Sequence, residues 1–400
     1  MESIVESVLL SMSSVKKPQR LFLSALFSAL MVFQGKATFR NLSRYSSLHE
    51  KRLSRWFRRS FDFAQFNRRL LQKELPQKHD QIAAIDASFM KKSGQKTAGL
   101  GWFYNGALGQ AMVGLELSLV CRIDLQSRTA YALEARQTLD SEQKEGESRV
   151  DCYAKQVCDL AGDLQAQGIR YLTADAYYSK VKFVDAVCSD DLHLIGKLRS
   201  DANLSWYFEG EYGGKGRPKT YDGKVNFQTE LSRFDACGVM DKGVSIYSAV
   251  VHSCCFKRKI RVVLLRWEQK TKVRSALLFS TDSELAPEKI VEYYTARFQI
   301  EFLFREAKQH TGLMDCQARC PEAIQTHINA SFTALNLLKL EDRKDKNNPE
   351  PSVISIASWR RKKFNQYLMK ILFDKLGLER SCQKVEAVYH ELSEYGAIQV

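Results

Sequence analysis

Apolar positions along the chain change their spacing from region to region. Up to about residue 75 they recur with a helical period. From Gln81 onward, short apolar runs of strand length alternate with helical stretches, in the order strand, strand, strand, helix, strand, helix, strand. The strand runs are QIAAIDASF, GLELSLVCRIDL, RTAYALEAR, GIRYLTADAYYSK and LHLIGKL. This order predicts an α/β fold built on a mixed sheet.

The alternating order stops after residue 200. The turn-rich segment GEYGGKGRPKTYDGK is followed by the strand-like runs VSIYSAVVHS and IRVVLLRW, which predict a β-rich insertion. Helical periodicity returns after Pro287, with a polar break at EDRKDKNNPEP. We therefore expect five regions: helical and basic 1–78, core 79–200, β-rich insertion 201–281, second part of the core 282–345, and helical C-terminal region 346–400.

One apolar stretch, LFLSALFSALMVF after Arg20, has the composition of a signal peptide. It starts late and has no clear small-residue cleavage site, so we interpret it as a buried helix. No run of about 18 apolar residues is present, so no membrane segment is expected. The ten cysteines are scattered without zinc-finger spacing, as is typical of reduced thiols in a cytoplasmic protein.

The chain is strongly basic, with a formal charge of +14. A surplus of this size favours a polyanionic partner, most often nucleic acid, although a generally basic surface is the alternative. Between Lys36 and Lys73 there are eleven Lys or Arg against two acids. In LHEKRLSRWFRR, helical spacing puts Arg52, Arg55 and Arg59 on one face. Such a face suits DNA phosphates, or is simply solvated.

A second group of polar positions follows Pro287. Interpreted as one helix, the segment VEYYTARFQIEFLFREAKQHTGL places four side chains within an arc of about 60°. These are Tyr294, Arg297, Glu301 and Lys308, with Arg305 close by. Ala296, Ile300, Leu303, Phe304 and Ala307 form a neighbouring apolar face. An acid among cations suits a metal-dependent site acting on phosphate, whereas ordinary helical ion pairing is the alternative.

Two further carboxylates come at the predicted ends of strands. Asp86 ends the first strand and Asp175 the fourth, and in this order those strands lie side by side, so both acids emerge at one edge. Glu301 can pack against that edge. Three oxygen ligands without His or Cys favour Mg²⁺, with Mn²⁺ as a substitute. Two such ions could promote an in-line displacement at phosphorus.

With these residues the chain resembles bacterial insertion-sequence transposases of the DDE class, in the group with the Tyr-Arg-Glu-Lys box. The matching motifs are IDASF around Asp86, TADAYYSK around Asp175, and the box Tyr294, Arg297, Glu301 and Lys308. LIGKLRSDA and TGLMDCQAR are also similar. The resemblance covers roughly residues 30 to 340. It implies an RNase H-like catalytic core interrupted by a β insertion.

The resemblance also implies a function and roles for individual residues. The family carries out cut-and-paste transposition as a dimer, by strand nicking, hairpin formation, hairpin reopening and joining to target DNA. Asp86, Asp175 and Glu301 would bind the metal ions, and Tyr294, Arg297 and Lys308 would hold phosphates. An aromatic residue of the insertion would stack on a flipped base, with Trp206 and Trp267 both open as candidates. The expected partners are the double-stranded terminal inverted repeats, target DNA and a second copy of the chain.

Two other functions remain compatible with the sequence. The first is a transposase-derived DNA-binding repressor without catalysis, which the intact carboxylates disfavour. The second is an RNase H-like DNA nuclease that cuts without joining. The Tyr-Arg-Lys companions and the β insertion disfavour this second alternative.

Overall fold

The computed structural model of the chain describes residues 2–75, 80–139, 146–212, 214, 216–240, 243–269, 272–346, 353–377 and 383–398. These residues fall into two compact units. Unit 1 comprises Met1–Asp80, Ala87–Gln143 and Ile300–Val400, and unit 2 comprises Gln81–Asp86 and Lys144–Gln299. The polar break at 341–351 is described only up to residue 346.

The N-terminal region is helical, as its periodicity predicts. Its helices are α1 Glu2–Ser11, α2 Lys17–Val32, α3 Phe39–Leu42, α4 Glu50–Phe57 and α5 Phe63–Glu74. The apolar stretch after Arg20 lies within α2, whose Phe22, Leu26 and Phe27 are buried. The prediction of a buried helix is therefore confirmed. No helix in the described ranges is long and apolar enough to cross a membrane.

Four strands follow, where the sequence predicted three. They are β1 Gln81–Lys91, β2 Gly101–Asn105, β3 Gln110–Asp124 and β4 Thr129–Thr138. The first six residues of strand β1 belong to unit 2, and the rest of the strand belongs to unit 1. β2 and β3 form a hairpin that pairs Gly101 with Gly114. A Cβ on Gly114 would come within 2.7 Å of the Met90 carbonyl oxygen, so glycine permits the close approach of β3 to β1.

The alternating part of unit 2 agrees with the predicted order. It contains α6 Arg149–Gln165, β5 Tyr171–Thr173, α7 Val181–Ser189 and β6 His193–Leu198. Ser148 and Asp151 form a capping box at the start of α6. Gly168, with φ +76°, follows the end of this helix, where glycine adopts a positive φ without strain.

The β-rich segment after residue 200 continues the sheet of unit 2. Its strands are β7 Leu204–Tyr207, β8 Tyr221–Lys224, β9 Asp235–Met240, β10 Val244–Ser253, β11 Arg258–Gln269 and β12 Lys272–Ser280. Strand β12 pairs antiparallel with β6, joining Leu277 to Leu198. The order in unit 2 is β1, β5, β6, β12, β11, β10, β7, β8, with β9 also on β10. The first three are parallel and the others antiparallel, so the predicted mixed sheet is confirmed.

The remaining helices run from Pro287 to Ser393. They are α8 Pro287–Ala296, α9 Gln299–His310, α10 Pro321–Lys346, α11 Ile356–Leu376 and α12 Gln383–Ser393. α8 belongs to unit 2, and all of α9 except Gln299, together with the later helices, belongs to unit 1.

Helix α10 is the centre of unit 1. Along most of its length its side chains are buried, including polar ones. The Asn336 side chain accepts from the Ala132 N–H at 2.9 Å and donates to the Ala132 carbonyl at 2.8 Å. Asn329, two turns earlier, does the same for Ala135, at 2.8 Å each way. These two asparagines hydrogen-bond strand β4 on the α10 side, as a neighbouring strand would.

Candidate active site

Asp86 lies on β1, and Asp175 follows the end of the adjacent parallel strand β5 by two residues. The register of β1 and β5 pairs Ala83 with Leu172 and Ala84 with Thr173. Two residues further along, the same offset places Asp86 opposite Asp175. The prediction that these two strands are adjacent in the sheet is therefore confirmed. The prediction that Asp86 ends its strand is wrong, because β1 continues to Lys91. The run extends because its later residues pair within unit 1, which a local apolar pattern does not reveal.

Asp175 is held by the turn that follows β5. It precedes a short 3₁₀ turn, Ala176–Tyr178, and its carboxylate accepts from the Tyr177 N–H at 2.8 Å. Tyr177 is about half exposed, and the Lys180 ammonium lies 4.0 Å from its ring centroid. The turn fixes one carboxylate oxygen of Asp175 and presents an aromatic ring and a cation beside it.

Asp86 forms an ion pair with Arg297. The Arg297 guanidinium lies 3.7 Å from the Asp86 carboxylate, and both side chains are largely buried. The guanidinium also lies 5.6 Å from the centroid of the Tyr294 ring. Burial raises the pKa of the Tyr294 phenol, and the Arg297 charge opposes this only in part. At neutral pH the phenol is therefore a protonated hydrogen-bond donor.

The box residues lie on two helices, and the prediction of one continuous helix is wrong. Tyr294 is on α8, Arg297 is the C-terminal cap of that helix, and Glu301 and Lys308 are on α9. No glycine or proline marks the break. Arg297, the residue at the break, forms the ion pair with Asp86. The common arc computed for a single helix therefore does not apply.

Glu301 lies in the first turn of α9 with an exposed side chain. A carboxylate at this end of a helix is favoured by the helix dipole. Ile300, Leu303, Phe304 and Ala307 are buried, which confirms that part of the predicted apolar face. The predicted Arg305 is exposed, and its guanidinium lies 4.4 Å from the ring centroid of Phe302.

Lys308 contacts strand β1 within unit 1. Its ammonium donates to the Ser88 hydroxyl at 2.8 Å and to the Phe89 carbonyl at 3.1 Å. Burial lowers the pKa of this ammonium. Two of its three N–H groups thus hold the strand segment that begins two residues after Asp86.

The predicted basic face of the N-terminal region is only partly helical. Arg52 and Arg55 are exposed on α4. Arg59 lies beyond the end of that helix, so the prediction of one helical face for all three is wrong. It is exposed as well, and its guanidinium stacks on Trp56 at 4.8 Å. The helix ends at Phe57, which is buried, and the chain turns there.

The two candidate stacking residues differ in accessibility. Trp206 is 6% exposed. Its indole N–H donates to Glu230 at 3.0 Å, and Arg233 lies over its ring at 4.4 Å. Trp267 is partly exposed on β11, opposite Arg274. In this conformation Trp206 is part of the packing of the insertion.

Unit 2 contains a cleft of about 1010 Å³, here called the basic cleft. Ala176, the residue after Asp175, is among its lining residues, and so is the aromatic residue Phe227. The lining acid, Asp201, pairs with Arg199 at 3.0 Å. The cationic lining residues are Lys197, Arg199, Lys224 and Arg266. These residues are not recognisable as a group in the sequence, because they come from separate strands and loops and share no spacing.

The carboxylate chemistry fits a hard divalent cation. Asp86 and Asp175 offer oxygen donors at matched strand positions, as Mg²⁺ prefers. Within the described ranges, no group of three or more His, Cys, Asp or Glu side chains is arranged to hold a metal ion. The carboxylates of Asp86 and Asp175 are thus suitable ligands for Mg²⁺, and a complete set of ligands requires a further residue.

Compared with curated proteins, the chain has no significant match. A family model does match it: residues 77–337 correspond to the transposase DDE domain. The matched range contains Asp86, Asp175 and Glu301 and covers more than half of the chain. The chain therefore belongs to the family of DDE-domain transposases.

Proposed function

We propose that the chain catalyses cut-and-paste transposition of an insertion sequence, through metal-dependent phosphodiester hydrolysis, hairpin formation and strand transfer. The observation that carries the proposal is the position of Asp86 on β1 and of Asp175 just after β5, the parallel strand that pairs with β1. Two carboxylates brought close together repel each other, and a bound metal cation would relieve that repulsion. The family match supports a DNA-cleaving enzyme.

Asp86, Asp175 and Glu301 are the proposed metal ligands. The expected cofactor is Mg²⁺, or Mn²⁺ as a substitute, with two ions per active site. When bound, such ions would supply an activated nucleophile and stabilise the leaving oxygen of an in-line displacement. Glu301 lies at the start of α9, four residues after Arg297, the ion-pair partner of Asp86. Its side chain is exposed, as binding of a metal ion requires.

Arg297 and Tyr294 are the proposed phosphate-binding residues. In the absence of substrate, Arg297 neutralises Asp86 at 3.7 Å. A cation bound by Asp86 would replace that interaction and leave the guanidinium for a phosphate oxygen. Tyr294, kept protonated by burial, would donate a second hydrogen bond to the same phosphate.

Lys308 is proposed mainly as a positioning residue. Its ammonium contacts Ser88 and Phe89 and thereby fixes strand β1 close to Asp86 in sequence. A catalytic carboxylate misplaced by about 1 Å can lower the rate by about 100-fold. This role differs from the phosphate contact expected by resemblance. Arg305, exposed one turn earlier, remains a proposed phosphate contact.

The basic cleft is proposed to hold a single DNA strand beside Asp175. Four cations line it, and unpaired bases can stack on an aromatic ring such as Phe227. Phe227 thus joins Trp267 as a candidate for stacking on a flipped base, whereas the burial of Trp206 disfavours it.

Duplex DNA at the transposon ends is proposed to bind the N-terminal helices through Arg52, Arg55 and Arg59. These side chains are all exposed. Target DNA would follow after cleavage, with two copies of the chain in the DNA complex. We place this activity in the bacterial cytoplasm, on the nucleoid.

Carboxylate variants test the proposed chemistry. Asp175→Asn and Glu301→Gln should abolish Mg²⁺-dependent cleavage of a terminal duplex, because each removes a ligand charge. End affinity should stay within about threefold, because phosphate contacts dominate binding. Gel-shift and single-turnover cleavage assays measure the two quantities. Asp374→Asn serves as a control, since Asp374 is an exposed carboxylate on α11, outside both the proposed ligand set and the basic cleft.

Other outcomes separate the competing functions. Parallel loss of binding in both variants would mean that these carboxylates are structural. Wild-type protein that binds the duplex but leaves it uncut with Mg²⁺ would identify a repressor. Cleavage without joining of a pre-cut 3′ end would identify a nuclease.

A further inference from the structure

Ser179 makes a long-range contact from the turn that follows Asp175. Its hydroxyl donates to the backbone carbonyl of Lys197 on β6 at 2.8 Å, across 18 positions of the chain. Several other hydrogen bonds of this turn are local, such as those from the Tyr177 N–H to the Asp175 carboxylate and from the Ser179 N–H to the Ala176 carbonyl. The Ser179 side chain therefore ties a locally bonded turn to the sheet of unit 2.

Two contacts with β6 bracket Asp175. Before it, the Ala174 N–H donates to the Ile195 carbonyl at 3.1 Å. After it, the Ser179 hydroxyl contacts Lys197, two residues further along the same strand. Asp175 thus lies in a short segment that is fixed to β6 on both sides. Without the Ser179 contact, this segment would keep its first attachment and lose its second.

The turn and β6 approach each other closely at Gly196. A Cβ added there would lie 3.2 Å from the Ser179 hydroxyl oxygen and 2.8 Å from the Phe279 ring. Phe279 is fully buried, so it has little room to move away. The absence of a side chain at residue 196 therefore allows the Ser179 hydroxyl to reach the neighbouring Lys197 carbonyl.

Capping of α7 does not account for this hydroxyl. The N-terminal cap of α7 is Lys180, and that cap has no side-chain hydrogen bond. Ser179 precedes Lys180 and donates to β6 instead. Because water can also satisfy a carbonyl at this partly exposed position, the contact contributes a fixed geometry more than stability.

We propose that Ser179 is a positioning residue for Asp175. The inference rests on the proposed function, because it takes Asp175 as a metal ligand. Mg²⁺ demands near-ideal octahedral geometry with oxygen ligands at about 2.1 Å, so a carboxylate on a loose turn binds it poorly. Attachment of the turn on both sides of Asp175 restricts where its carboxylate lies. Partners that orient a metal ligand typically change metal affinity or activity by about 10- to 100-fold.

The contact also connects the turn to the basic cleft. Lys197 and Ala176 both line the cleft. The backbone of Lys197 is held independently by β12, through its pairing with Leu278. Loss of the Ser179 hydroxyl should therefore loosen the turn that carries Asp175 and leave the Lys197 cation in place. Metal binding and cleavage should weaken, whereas DNA binding should not.

Hydrogen–deuterium exchange of the full-length protein, without metal or DNA, tests the attachment itself. In Ser179→Ala the amides of residues 176–180 should exchange about threefold faster than in wild type, because the turn opens more often. Ser179→Thr keeps the hydroxyl and should exchange as wild type does. Ser189→Ala is the matched control, since the Ser189 hydroxyl also donates to a backbone carbonyl at 2.8 Å, that of Ala186, but within α7. It should leave residues 176–180 unchanged.

Mn²⁺ binding, followed by electron paramagnetic resonance, tests the consequence for the metal ligand. The relevant binding is the part that Asp175→Asn removes. Ser179→Ala should weaken it by about tenfold and slow single-turnover cleavage by a similar factor. End affinity in gel shifts should stay unchanged, and Ser179→Thr should restore both metal affinity and rate.

The measurements separate this inference from the proposed function. Unchanged exchange in Ser179→Ala, or an equal effect of Ser189→Ala, would overturn the inference. Faster exchange without weaker Mn²⁺ binding would also overturn it, because Ser179 would then be a structural contact only. All of these results leave the metal role of Asp175 standing. Equal Mn²⁺ affinity in wild type and Asp175→Asn would instead contradict the metal assignment of the proposed function, and the inference with it.

Discussion

At the scale of single residues, Arg297 explains how two facing carboxylates are tolerated before any substrate arrives. Like charges at matched positions on neighbouring strands destabilise a sheet. The guanidinium at 3.7 Å from Asp86 offsets that repulsion in the free protein. The residue that makes this contact is also the C-terminal cap of α8, at the point where a continuous helix was expected. Arg297 therefore lies both at the ion pair and at the break between α8 and α9.

The contacts of Lys308 lead to a prediction that separates two roles. Lys308→Met should lower the single-turnover cleavage rate by about 100-fold, because strand β1 loses its anchor near Asp86. Ser88→Ala should lower it less. The double variant should be no worse than Lys308→Met alone, since both changes break one contact.

A phosphate-binding role for Lys308 would give a different pattern. Ser88→Ala would then leave cleavage unchanged, and Lys308→Met would reduce the salt dependence of end binding by about one unit of log–log slope. Lys308→Arg is the control, because it keeps the charge but cannot reproduce both short contacts of the ammonium.

The residue types of the site were predictable from the sequence, but their partners were not. Asp86, Asp175 and Glu301 stand out because acids follow apolar runs or lie among cations on a helical segment. That Arg297 binds Asp86 and Lys308 binds Ser88 depends on tertiary contacts between residues about 210 to 220 positions apart. The basic cleft was missed for the same reason.

At the scale of elements, the sequence predicted those helices and strands whose formation depends on neighbouring residues in the chain. The helix predicted between the third and fourth strands is α6, Arg149–Gln165. Strand β2 was missed because it is short, and its alternation was obscured by glycines on both sides. The length of β1 was underestimated because its second half pairs within unit 1.

Helix α10 gives a prediction about stability. Asn336→Leu leaves the N–H and carbonyl of Ala132 buried without their side-chain partners. Unfolding free energy should fall by about 2–4 kcal/mol, the usual cost of one or two unsatisfied buried groups. Chemical denaturation measures the loss.

Asn365 on α11 provides the matched control for that experiment. Its side chain also donates to two carbonyls, of Ser393 and Tyr395, but in a more exposed setting. Asn365→Leu should cost about 1 kcal/mol or less, because water can replace the lost partner. Equal losses at the two positions would show that the α10 contacts are not special.

At the scale of the whole molecule, the charged residues behind the net charge of +14 are unevenly distributed along the chain and over the structure. Arg52, Arg55 and Arg59 form an exposed basic group near the N-terminus, and the basic cleft forms another within unit 2. By contrast, the segment 97–115, which contains β2 and the start of β3, has no charged residue. Composition predicted a polyanion partner, but only the folded chain shows where the exposed cations lie together.

The N-terminal basic group predicts a specific salt response. Changing Arg52, Arg55 and Arg59 together to Gln should weaken end binding and flatten the log–log salt slope by up to about 3 units, since each phosphate contact contributes nearly one. Gel-shift titrations at several salt concentrations measure the slope.

The control for this prediction removes the same net charge elsewhere. Lys370, Lys375 and Lys384 are exposed on α11 and α12, and their triple change to Gln should leave the slope nearly unchanged. A similar flattening in both triple variants would mean that overall charge, and not this face, sets the affinity.

The discontinuity of unit 1 has a consequence for how the chain is made. Asn67 accepts a hydrogen bond from Thr333 at 3.1 Å, and the Ala37 N–H donates to Asp315 at 2.9 Å. The N-terminal helices thus leave the ribosome long before the segments they pack against. Until about residue 340 has been synthesised, the apolar faces of these helices are not covered by α10. This delay favours slow folding and chaperone engagement. A prematurely terminated chain would lack the packing that α10 gives to α2, α4 and α5.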